Sequence, residues 1–261
     1  MGRTLSWAAR IWVGAFAAVA VVQLSAEWVG ADRLAQVSQW ALMPVLAGAL
    51  VAATRWPRGH LVTWVLVALG FSWLGDLVPS FVADDAAFLV MVGFFLLAQV
   101  SFVVAFAPDV RRSVLHRRPL LLLPYAAVLI SLVGLCAGDA GPLLVPVAVY
   151  GGCLTAMAVL STGVSRVAGI GGAVFLVSDG LIALGEFVPA FDLSHHDFWV
   201  MLTYVLAQAL IALAVVERNA RQRRAPEPAP RPVVSRPSVP DNVVSMVRAA
   251  RSLSRPRVPV R

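Results

Sequence analysis

Three carboxylates stand where carboxylates are costly. Asp76 lies in a stretch running Ala68 to Phe81, inside an apolar run that begins near His60. Asp179 and Glu186 lie in a second apolar run from Gly171 to Phe187. An ionisable side chain at the centre of a membrane-spanning helix costs about 2.5–3.5 kcal/mol on insertion scales, so such residues usually face the bundle interior and mark a site. Two carboxyls close together in low dielectric cannot both ionise cheaply, and one proton is held by the pair. That arrangement supplies an acid and a base in one place.

Helical spacing says which residues accompany them. Positions four apart share a face, so Ser72, Asp76 and Ser80 form one stripe, and Asp179 and Glu186 share another two turns apart. Gln99 with Phe95, and Gln208 with Tyr204, give two more helices polar stripes at middle depth. Convergence of these four helices predicts an outward-opening polar cavity. In it Asp76 and Asp179 are the expected catalytic pair, with Ser72, Gln99, Glu186, Tyr204 and Gln208 binding the substrate. The structural alternative is that Asp and Gln merely bond one another across helix contacts. Glu27 could join the cavity from the first helix, though its place near the surface points to water instead. His195 and His196 sit beside Asp192 and Asp197 in a loop, but adjacent histidines do not readily ligate one ion. No metal and no cofactor is expected.

The elements that must position these residues are membrane helices. Of 261 residues, 59% are hydrophobic and only 13% charged, against about 25% charged in soluble domains. Mean hydropathy is +0.81. A span takes about 20 mostly apolar residues, and eight segments qualify: 11–29, 37–54, 60–79, 86–106, 119–137, 142–162, 169–188 and 198–216. The expected fold is therefore an all-α polytopic membrane protein. Its domains are an eight-helix membrane domain over 1–216 and a Pro/Arg-rich, disordered tail over 217–261.

Charge orients the bundle. There is no lysine, and apart from Arg33 the arginines fall at the N-terminus, in the even-numbered loops and in the tail. Both termini are expected in the cytoplasm. The net charge of +7 comes from the tail, so nucleic acid is a poor partner and the anionic inner leaflet a better one. Cys136 and Cys153 lack metal-ligand spacing and read as inert buried thiols. The Ala/Val/Leu/Arg bias reads as a high-GC genome, which suggests a bacterial cell membrane. Phe71–Asp76 with Leu97–Gln99 parallels Phe175–Asp179 with Leu206–Gln208, a weak 4+4 internal repeat.

Gly75-Asp76 after Phe71-Ser72, Val92–Gln99, Phe175–Asp179 and Tyr204–Gln208 resemble the YhhN/TMEM86 family. The resemblance covers about 11–216. It implies a lysoplasmalogenase-like enzyme that cleaves the vinyl ether of lysoplasmalogens, with a lysophospholipid as substrate. Met43-Pro44 stands where the family commonly has Lys-Pro, and Gln99 and Phe102 stand where it commonly has His and then Tyr. Vinyl-ether hydrolysis suits the carboxylates on chemical grounds. It begins with proton transfer to the β-carbon and passes through an oxocarbenium ion that water captures.

Three other readings compete with a working hydrolase. One is a family member that has lost catalysis. Another is a proton-coupled solute or lipid transporter using the buried carboxyls. The third is an intramembrane aspartyl protease, since Trp73-Leu-Gly-Asp76 echoes part of a Gly-x-Gly-Asp motif. That motif's first glycine is missing here, and no partner motif follows.

Overall fold

The computed structural model describes residues 6–224. Eight helices are long and apolar enough to cross a membrane: α1 (Trp7–Val29), α2 (Asp32–Ala53), α3 (His60–Leu77), α4 (Asp84–Phe106), α5 (Leu122–Cys136), α6 (Leu144–Val164), α7 (Arg166–Phe187) and α8 (His196–Arg224). No strand occurs among the described residues. The protein is an integral, multi-pass, all-α membrane protein.

Local signals set several helix ends. Ser6 Oγ accepts the Ala9 amide at 3.2 Å and caps α1, which stops at Gly30 in the left-handed conformation, φ 68°. Ser165 caps α7 in the same way, accepting from Ala168 at 3.1 Å. A one-turn helix, Val114–Arg117, and short 3₁₀ turns link α4 to α5.

The helices pack in sequence neighbours, α1 on α2, α3 on α4 and α7 on α8, while α8 also meets α1, α2, α3 and α6. It is the hub of the bundle. Small residues let α7 sit close to its neighbours. A Cβ at Gly171 would lie 3.1 Å from the Ala207 carbonyl of α8, and one at Gly172 would lie 2.9 Å from Ala158 Cα of α6.

The seam between α2 and α3 has a particular cause. Pro44 lies inside α2 and has no N–H, so the carbonyl of Trp40, four residues back, loses its helical donor. The Trp73 indole N–H of α3 donates to that carbonyl at 3.0 Å. Gln36 donates to Ser80 at 3.2 Å and Gln39 to Asp76 at 3.1 Å along the same seam. This register carries Gln39 to a carboxylate.

The first two helices start four and five residues ahead of the expected spans, and the largest difference is in the last helix. The last helix runs on to Arg224 instead of ending at 216. Tertiary contacts hold its extra turns: Arg218 pairs with Asp109 at 2.7 Å, and the Arg223 guanidinium donates to the carbonyls of Arg55 and Pro57 at 2.7 and 2.9 Å. The remainder of the expected tail lies outside the described residues.

Alternating helices put the loop at Asp192 and the segment at Arg117 at opposite ends. Cysteines introduced there one at a time should label from opposite sides of a sealed vesicle. Labelling of both from one side would refute the crossing pattern.

Candidate active site

The site is built on the α2/α3 seam and completed by the hub helix. Asp76, near the end of α3, accepts from Gln39 on Oδ1 and from the Tyr204 hydroxyl of α8 on Oδ2 at 3.0 Å. Across the same cavity, Asp179 of α7 accepts on Oδ2 from the Tyr150 hydroxyl of α6. Both carboxyls are 8% exposed. A carboxyl at that burial keeps its place in a membrane bundle only by such pairing.

Both face a cavity of about 570 Å³. Its lining includes Glu27 of α1, Gln39 of α2, Asp76 of α3 and Phe95 of α4, together with Asp179 and Glu186 of α7 and His196 and Tyr204 of α8. Every lining residue comes from the same end of the bundle, so the cavity opens between the ends of α1, α7 and α8. At this mouth His196 is fixed by the Leu181 carbonyl at 3.0 Å. Its imidazole fits because Gly185 has no side chain; a Cβ there would lie 2.8 Å from Nε2. Gln23 donates to Glu27 at 2.8 Å and is itself held by Ser38 at 2.6 Å, which aims Glu27 from α1. His195 stacks on Trp28, ring centroids 4.2 Å apart.

The expected site residues divide by depth. Asp76, Asp179, Glu186 and Tyr204 meet at the cavity wall. Ser72, Gln99 and Gln208 do not line it. Each lies one helical turn deeper than a residue that does: Ser72 below Asp76, Gln99 below Phe95, Gln208 below Tyr204. Gln208 donates to Ser72 at 3.2 Å, and this pair forms part of the cavity floor. Gln99 is fully buried near the Tyr150 hydroxyl, and neither of its amide atoms makes a hydrogen bond of good geometry among the described residues.

Sequence reasoning missed two of the three side chains that donate to the carboxyls. Gln39 carried no signal beyond being a polar residue five positions before Pro44. Tyr150 is one of only three tyrosines in the chain, and its position in the middle of an apolar run was the available clue. The cavity also draws on α1 and α2, beyond the four helices expected.

The fold and site thus define a membrane-embedded helical bundle with two buried carboxyls on one cavity. The model of the YhhN family matches residues 34–215, and the chain belongs to that family. Among curated proteins, this chain is similar to a protein named lysoplasmalogenase in Mycobacterium bovis and another of that name in Mycobacterium tuberculosis. Each is 28% identical over 186 residues, covering 66% of this chain and 66% of the relative's length. No solved structure matches the chain.

Proposed function

We propose that this protein hydrolyses the vinyl-ether bond of lysoplasmalogens, releasing a fatty aldehyde and a glycerophospho-alcohol, with Asp76 and Asp179 as the acid/base pair. The observation that carries the reading is the pair itself: two buried carboxyls on one cavity, each held by a phenol hydroxyl. Family membership and the relatives' name agree with it.

The hydrogen bonds distinguish the two groups. Asp76 has a donor on each oxygen, whereas Asp179 has one on Oδ2 and none on Oδ1 among the described residues. Asp179 therefore has an oxygen free to carry a proton into the cavity. It protonates the β-carbon, the C=C electron pair forms the new C–H bond, and an oxygen lone pair completes the oxocarbenium ion. Asp76 takes a proton from the water that adds to the α-carbon. Collapse of the hemiacetal then breaks the bond to the glycerol oxygen. Asp76 returns its proton to that oxygen while the hemiacetal O–H reprotonates Asp179. Glu27, Glu186 and His196 meet the polar head at the mouth. The protein sits in a bacterial cell membrane with both termini cytoplasmic, and the basic tail lies against the inner leaflet.

The departures from the family pattern fall outside the cavity wall. Met43, Gln99 and Phe102 are fully buried, and Phe102 packs its ring against Phe106 and Phe175. Loss of a relay residue at 99 thus leaves both carboxyls in place. Purified protein in lipid vesicles, given lysoplasmalogen and its saturated ether analogue, should release aldehyde from the first alone. No aldehyde from either refutes the proposal. Gln99→Met should keep aldehyde release within about threefold of the parent, because the side chain does not reach the cavity. Its thermal midpoint should be unchanged or higher, since each buried unpaired polar group costs about 1–3 kcal/mol.

A further inference from the structure

The polar cavity has an apolar annex. A cleft of about 50 Å³ lies between α4, α6 and α7, walled by Phe88, Val92, Val147, Ala183 and Phe187. Among the described residues its only polar side chains are those of Asp179 and Tyr150. Phe88, Met91, Phe95, Asp179 and Ile182 line both compartments, and Asp179 is the one carboxyl among them, while Asp76 lines the polar one alone. The same stretches of α4 and α6 carry Leu89 and Val149, which are 48% and 56% exposed and face the surroundings of the bundle.

We propose that this cleft seats the first carbons of the substrate's aliphatic chain and so turns the vinyl-ether β-carbon toward Asp179. The inference rests on the hydrolase reading and adds the direction in which the substrate lies. The two carbons of a vinyl ether are not equivalent. The β-carbon continues into the chain, and the α-carbon bears the oxygen that leads to the head group. A proton donor must therefore stand on the chain side, and a water-holding group on the head side. Asp179, at the junction of the apolar and polar compartments, has the first position. Asp76, confined to the polar compartment, has the second. The assignment agrees with the free oxygen of Asp179, which is an independent observation.

Size limits what the cleft holds. Its 50 Å³ is less than a tenth of the 570 Å³ of the polar cavity, room for the first carbons past the double bond and not for the whole chain. The rest of the chain passes out between α4 and α6 among the lipid tails. Burying this short segment removes apolar surface from the aqueous cavity, which favours the seated orientation over the reverse one.

The test compares two lysoplasmalogens that share a head group, one with a 1-hexadecenyl ether and one with an ethenyl ether, which has no carbon past the double bond to seat. Ala183→Val, Ala183→Leu and Val147→Phe fill the cleft progressively from its two sides. None of these residues bonds to either carboxyl. The ratio of kcat/KM for the long substrate to that for the short one should fall with side-chain size, by about tenfold or more in the larger variants, the scale on which filling an apolar pocket discriminates. Acetaldehyde release by the same preparations shows that the bundle is folded. A ratio unchanged across the series, or an equal loss on both substrates, overturns the seat while leaving hydrolysis standing. Absence of aldehyde from either substrate with the unmodified protein overturns hydrolysis, and the seat with it.

Discussion

Replacing Asp179 with asparagine should lower aldehyde release by about 10²-fold or more, the usual scale for a positioned acid or base. The exchange keeps the shape of the side chain, and the Tyr150 hydroxyl can still donate to the amide oxygen. What it removes is the transferable proton. Asp76→Asn should lose a similar factor for a different reason. The Tyr204 hydroxyl still has an oxygen to donate to, and Gln39 can turn its own carbonyl toward the new amide N–H, so the seam between α2 and α3 survives. The group that takes the water proton is gone. The double variant should be little worse than either single, because the pair works as a unit. Elution from a sizing column in detergent should match the parent for all three variants. Near-normal aldehyde release by either single variant would defeat the mechanism.

The second large effect concerns spacing. Gly172→Val should unfold at lower temperature and lose activity together. Gly172 precedes Asp179 by seven residues and so lies on the same face of α7, while Ala158 follows Tyr150 by eight on α6. The close contact at Gly172 and Ala158 therefore sets the distance over which Tyr150 reaches Asp179. A Cβ at Gly172 would lie 2.5 Å from Ser161 Oγ and 2.9 Å from Ala158 Cα, and the latter is backbone that cannot swing away. Overpacking of this kind typically costs about 1–3 kcal/mol. A variant with the parent's melting temperature and parent's activity would show that α6 and α7 have slack at this point.

The fold was legible because hydrocarbon leaves little choice. Runs of about 20 apolar residues read as spans, and seven of the eight ended close to where their helices end. The last one did not. Its extra turns are held by the Asp109 carboxylate and by carbonyls of the α2/α3 loop, partners more than a hundred residues away in the chain. Asp76, Asp179 and Glu186 stood out because charge in an apolar run is rare. Gln39 and Tyr150 did not, since glutamine near a helix start and tyrosine in a span are both ordinary. Their importance comes entirely from what another helix places opposite them. Ser72, Gln99 and Gln208 were on the right faces but one turn too deep. Periodicity reports the direction of a side chain and says nothing about where a cavity ends.

That ending has its own consequence for traffic. Ser72 and Gln208 close the space beneath the carboxyls, and Arg218 and Arg223 brace the far end of the bundle against Asp109 and the α2/α3 loop. On the proposed reading, reactant and products would share one doorway region, on one membrane face. The water-soluble half of a cleaved lipid would be shed on that face only, while the oily half would slip sideways into the adjoining leaflet. Hydrolysis here would also be a sorting step, dividing a single lipid between two phases without carrying anything across the bilayer.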